Sequence, residues 1–201
     1  MQLLTQNSKM KKTSKEMGVR LFNFGITAYK SQSGKLTCPF ADKCIKYCYA
    51  QKGSYSWGNV KPAFEKRYEL TKTDMFVDEI SKEIVRKKPD FIRVHDSGDY
   101  YSKKYRDKWF TLMSKFKNVK FYSYTNSIPL FRGKDLPDNF CTIYSDGGKL
   151  AHTIDKTTER HSMVFNGIDE MLQAGYVNAS QNDLMATKWY NKTNKVGLKF
   201  H

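Results

Sequence analysis

Apolar and polar positions follow two different periods along this chain. Short runs rich in β-branched and aromatic residues read as strands: Val19 to Tyr29 (VRLFNFGITAY), Phe91 to His95 (FIRVH), Val119 to Tyr124, Cys141 to Tyr144 (CTIY), Ser162 to Phe165 (SMVF) and Val196 to Phe200 (VGLKF). Between the first two, Lys61 to Lys88 carries Phe64, Tyr68, Met75, Phe76, Ile80 and Ile84 close to helical spacing. Pro62 suits a first turn, Asp74 is placed to cap a second helix, and Pro89 ends it. Trp109, Leu112, Met113 and Phe116 share one face of a helix predicted around Tyr105 to Phe116. Up to six strands separated by helix-length or loop-length segments predict an α/β fold, either a partial (β/α)6 barrel or an open parallel sheet. At 201 residues the chain is expected to form one domain, with residues 1–17 as a polar leader.

Four of these strands run into small polar residues: Asp96-Ser97-Gly98-Asp99, Thr125-Asn126-Ser127, Ser145-Asp146-Gly147-Gly148 and Asn166-Gly167. Ligands of parallel α/β folds sit beyond the carboxyl ends of the strands, so these segments are expected to converge on one mouth. The loop after the first strand reaches the same place. It contains Cys38, Cys44 and Cys48, three of the four cysteines of the chain, within TCPFADKCIKYCYA.

That spacing, C-x5-C-x3-C, is short enough for one loop to wrap one metal centre, and three thiolates leave a coordination position free. In a reducing compartment, clustered cysteines bind metal more often than they pair as disulfides. Soft sulfur donors suit an iron-sulfur cluster or zinc. Structural zinc needs a fourth protein ligand, and no second cysteine pair exists; Cys141 and His95 each belong to a different predicted strand. Ordinary buried thiols are the third reading.

His95 and Asp96 are candidates for moving protons. Gly98 permits close backbone approach, and Asp99 suits an ammonium or a ribose hydroxyl. Asp96 to Asp99 also have the chemistry of a turn and helix cap, and Ser123, Asn126 and Gly147-Gly148 share that ambiguity. His152 and His161 flank TIDKTTER, which reads as a solvated loop.

Charge changes the view of partners. Thirty-five Lys and Arg against twenty Asp and Glu give a formal charge of +15, which favours a nucleotide or nucleic acid, although spread charge also merely solvates a surface. The aromatic and basic tail WYNKTNKVGLKFH fits either. No apolar run reaches membrane-spanning length and the leader has no apolar core, so no membrane segment is expected and the cytoplasm is the expected location.

The segments TCPFADKCIKYCYA (37–50) and FIRVHDSGDYYS (91–102), with the closing apolar stretch that ends at His201, resemble the bacteriophage gene product 88 family. That resemblance implies host cytoplasm. The pattern is similar, more distantly, to radical S-adenosylmethionine enzymes, whose cysteine loop after strand one holds a 4Fe-4S cluster. This second likeness implies that Cys38, Cys44 and Cys48 are cluster ligands and that the open iron takes S-adenosylmethionine or a small substrate. It also implies Tyr47 or Tyr49 beside the adenine, Ser97-Gly98-Asp99 at the methionine ammonium, and Ser123 and Asn126 near the ribose. The usual spacing there is C-x3-C-x2-C, tighter than in this chain. The function expected is a small iron-sulfur protein with a nucleotide or nucleic acid as its substrate. The alternative is a non-enzymatic nucleic-acid-binding protein braced by zinc or a cluster.

Overall fold

The computed structural model describes residues 1–200; His201 lies outside the described residues. Seven strands form one sheet in which every pairing is parallel: β1 (Leu21–Phe24), β2 (Phe91–Val94), β3 (Lys120–Thr125), β4 (Phe140–Ser145), β5 (His161–Phe165), β6 (Val177–Asn178) and β7 (Lys195–Lys199). Their order is β1-β2-β3-β4-β5-β7-β6, and the sheet curls into a half-barrel. The expected parallel α/β architecture is therefore the form adopted, an open sheet curled part of the way toward a barrel. The two-residue strand β6 was not legible as a strand, because a pair of residues has no period.

Alternation along each strand builds two cores. Phe24, Ile92, Val94, Phe121 and Phe140 face α2 (Val60–Lys72), α3 (Phe76–Lys87) and α4 (Lys103–Lys115), where Phe76, Ile80, Trp109, Leu112 and Met113 are buried. Leu21, Phe91, Tyr122, Cys141, Ile143 and Val196 face the other way, against Met10 of α1 (Ser8–Met17) and Leu184. Interdigitated aromatic rings dominate the first core, with Phe24, Phe76 and Trp109 in mutual edge contact at centroid distances of 5.2 to 5.7 Å.

Three expectations are corrected. The leader is largely helical: Asn7 caps α1 by accepting from the Met10 amide, Gly18 ends it with a positive φ, and Lys9 pairs with Asp183 at 2.6 Å. The second helix is preceded by Met75, which provides no side-chain cap, so Asp74 does not cap it. Met75 is exposed and is not a core position. A further short helix, α5 (Ile168–Gln173), follows β5.

Candidate metal centre at the mouth of the half-barrel

The stretch from Gly25 to Asn59 leaves the carboxyl end of β1 and contains three 3-10 turns, Lys43–Tyr47, Tyr49–Gln51 and Gly53–Ser56. Cys38 precedes the first turn, Cys44 lies within it and Cys48 immediately follows it. All three are free thiols and half-buried.

The loop rests on the ends of β2, β3 and β4. The Cys44 amide donates to the Gly147 carbonyl at 3.2 Å, the Lys149 amide to Phe40 O at 2.9 Å, and Ala41 bridges Gly148. This contact explains the glycine pair: a Cβ on Gly147 would stand 2.9 Å from Cys44 Cβ, and one on Gly148 would stand 2.5 Å from Asn126 Oδ1. From β3, Asn126 Nδ2 points at Cys44 Sγ, 3.7 Å away. The Tyr29 amide donates to Cys38 Sγ at 3.4 Å.

Asp99 lies beneath. Its carboxylate accepts from Thr125 Oγ1 (2.6 Å), the Asn126 amide (2.9 Å) and the Tyr100 amide (2.7 Å), while its own amide donates to the Thr37 carbonyl (3.1 Å). Burial pushes the Asp99 pKa up to about 6, against those hydrogen bonds. Burial also pushes the Cys38 and Cys44 thiols up, and the charges of Asp99 and Cys48 add to it in both. Cys38, Cys44 and Asp99 thus share one electrostatic neighbourhood that disfavours the thiolate of those two cysteines and that a cation would reverse.

The donor chemistry fits a thiolate-held metal group. Among the described residues, however, no three His, Cys, Asp or Glu side chains are arranged to hold a single ion. The three thiols belong to one loop and do not form a closed cage.

The other expected residues divide sharply. Ser97 is buried and its carbonyl accepts from the Ile26 amide at 2.9 Å. Gly98 has φ +78°, and a Cβ there would lie 2.3 Å from Ile26 Cγ1, so glycine is required. Asp96 is buried with its Oδ2 accepting from Asn23 (2.6 Å) and Tyr55 (3.2 Å), while Oδ1 has no partner among the described residues. Burial raises its pKa, opposed by Arg93 and Arg67. Tyr49 drops its hydroxyl onto the Asp96 carbonyl, and burial of that hydroxyl pushes its pKa up to about 12 although half of the residue is exposed. Tyr47 is exposed, with its ring against Phe200.

His95 and Ser123 turn away from the mouth. The His95 ring lies among Phe24, Tyr100, Tyr105 and Trp109, its Nε2 paired with Tyr105 OH at 2.8 Å, and burial lowers its pKa to about 3. Ser123 is fully buried on the same helix-covered side. Cys141 lies early in β4, its sulfur accepting from the Lys188 amide at 3.3 Å, so neither it nor His95 joins the cysteine loop. His161 is buried between Tyr176 OH and the Glu159 carbonyl.

One residue escaped sequence reading. Arg93, on the inward face of β2, bridges Tyr49 OH (3.3 Å) and buried Asp183 (3.2 Å), and stacks over Tyr124 at 4.8 Å. Asp183 also takes Lys9 and Tyr122; burial alone would raise its pKa, but Arg93 and Lys9 hold it at about 2. The available signal was an arginine between Ile92 and Val94, because a charge inside an apolar strand demands a partner.

Fold and site together define a parallel α/β half-barrel with a three-cysteine loop over the carboxyl ends of its strands. Within that class the chain belongs to the bacteriophage gene product 88 family, whose model, described as Gene product 88, matches residues 1–198. No curated protein and no solved structure matches the chain. No helix of the described residues is long and apolar enough to cross a membrane.

Proposed function

We infer that the loop binds a thiolate-held metal group through Cys38, Cys44 and Cys48, with a 4Fe-4S cluster as the first reading. The observation that carries it is the gathering of three free, half-buried thiols from one loop at the mouth of a parallel sheet, where ligands of such folds bind. A single zinc ion draws all its sulfurs to about 2.3 Å from one point. A zinc site also needs a fourth protein ligand, and neither Cys141 nor His95 joins the loop, which favours a cluster with one iron left open. Bound there, such a cluster supplies an open iron able to act as a Lewis acid or an electron donor.

The chain's own residues would do the rest. Asn126 positions its amide on Cys44. Asp99, held by three donors, offers a buried carboxylate to a cationic group such as the ammonium of S-adenosylmethionine. Tyr47 and Tyr49 present aromatic faces to an adenine. Asp96, with an unpartnered oxygen, is the group best placed to hold a proton. His95 is assigned to the core and given no proton-moving role.

Anaerobic reconstitution with iron and sulfide tests the reading. Wild-type protein should retain both in amounts stoichiometric with the chain, and the triple variant Cys38→Ser, Cys44→Ser, Cys48→Ser should retain neither. Iron-free wild type, or equal retention by the variant, would overturn it. Stoichiometric zinc in a colourless wild type would replace the cluster by the zinc alternative. Given a cluster, release of 5'-deoxyadenosine from S-adenosylmethionine on reduction would mark radical chemistry.

A further inference from the structure

The charge of the chain is unevenly spent. Between Gly25 and Lys61 there are six lysines, Lys30, Lys35, Lys43, Lys46, Lys52 and Lys61, against one acid, Asp42, so this segment contributes 6 − 1 = +5. None of the six forms an ion pair among the described residues. Lysines elsewhere, such as Lys103, Lys104, Lys108, Lys115, Lys117 and Lys120, are also without ion pairs, so what sets this face apart is the exposed aromatic surface beside the charge.

Aromatic rings lie exposed between these lysines. Trp57 is 62% exposed, Tyr49 56% and Tyr47 41%, and Phe200 at the end of β7 joins Tyr47 at 49%. Large rings are normally core residues, and burying these four would be favourable. Beside them a cavity of about 200 Å3 opens between the post-β1 segment, the third 3-10 turn and the first turns of α2. Lys30 and Lys61 line it together with Tyr29, Tyr55, Phe64 and Ser97, and no acidic side chain lines it.

We propose that this face binds single-stranded nucleic acid, laid across the cysteine loop with phosphates on the lysines, bases on the exposed rings, and one nucleotide in the cavity between Lys30 and Lys61. Unpaired lysines supply counterion release, and exposed rings supply stacking that does not depend on sequence. A duplex hides the base faces that such rings contact, which selects the single strand. This names the partner of the site inferred above and rests on that reading for its chemistry, while the contacts come from side chains alone.

Fluorescence anisotropy of a labelled oligothymidylate on the full chain, repeated over a salt series, tests the proposal. Affinity should fall steeply as salt rises, and an equivalent duplex should bind more weakly. Lys30→Glu with Lys61→Glu should cost about tenfold or more at low salt and flatten the salt dependence. Trp57→Ala should cost about fivefold to tenfold. Lys188→Glu with Lys192→Glu, the same charge change in the connection before β7, should alter affinity by less than about twofold, with circular dichroism and thermal unfolding unchanged in every variant. No binding at low salt, equal loss from both lysine pairs, or preference for the duplex would overturn it. Metal content measured on the same samples separates the two readings. Oligonucleotide bound by a chain that retains no metal removes the metal centre and leaves this surface, whereas metal retained without oligonucleotide binding removes the surface and leaves the metal centre.

Discussion

The cysteine loop and the strand ends beneath it are built from similar residues, small, polar and aromatic, yet they are held in opposite ways. Below, Asp99 receives three hydrogen bonds, Ser127 donates to the Tyr100 carbonyl at 2.7 Å, and Gly98 fits only without a side chain. Above, the turns close on themselves through local bonds such as Ile45 to Asp42 and Lys52 to Tyr49, and only a few contacts tie them down. Large apolar rings are buried below and exposed above. The lower layer is specified by its own contacts. The loop leaves sulfur, charge and aromatic surface unused, as expected of a segment whose remaining contacts come from a ligand.

Stability measurements should expose that difference, and the largest effect belongs to the lower core. Trp109→Ala removes a fully buried ring packed on Phe24 and Phe76 and should lower unfolding free energy by about 3–5 kcal/mol in urea. Trp57→Ala in the loop should stay within about 0.5 kcal/mol. Equal costs would dissolve the contrast. Asp99→Ala orphans buried donors from Thr125, Asn126 and Tyr100 and should cost on the order of 3 kcal/mol.

A pH effect comes next. Burial lowers the His95 pKa to about 3 in the folded chain, against an ordinary 6.5, so the unfolded chain binds the extra proton first. Stability from this group is complete above about pH 6.5 and is lost as pH falls toward 3. His95→Gln keeps a partner for Tyr105 but cannot titrate. Its acid limb should be flatter over that window, with metal retention unchanged; an unaltered limb would place the histidine outside the core. The smallest effect is expected from Cys44→Ser or Cys48→Ser in metal-free protein, each below about 1 kcal/mol, because neither sulfur is part of a packed core.

The sequence disclosed the strands that have enough residues to show a period, and it disclosed the mouth because Asp99, Asn126 and Gly147-Gly148 follow strands. α1 was missed because its sequence is mostly polar; burial of Met10 and Thr13 and the long-range pair of Lys9 with Asp183 hold it in place. Which way a strand residue faces decided the fate of the candidates. His95 directly follows β2 and occupies the helix-covered core, as does Ser123 of β3, whereas Asp96 and Asp99 lie under the loop. A one-residue change of parity is invisible without knowing which face is covered. Arg93 shows the converse, a charge whose partner Asp183 lies ninety residues away.

The most direct measurement is amide hydrogen exchange with and without reconstituted metal. The account predicts that amides between residues 38 and 57 exchange rapidly in metal-free protein and become protected on loading, while those of β2, β3 and β4 remain equally protected in both. Loop protection already complete without metal, or unchanged after loading, would contradict it.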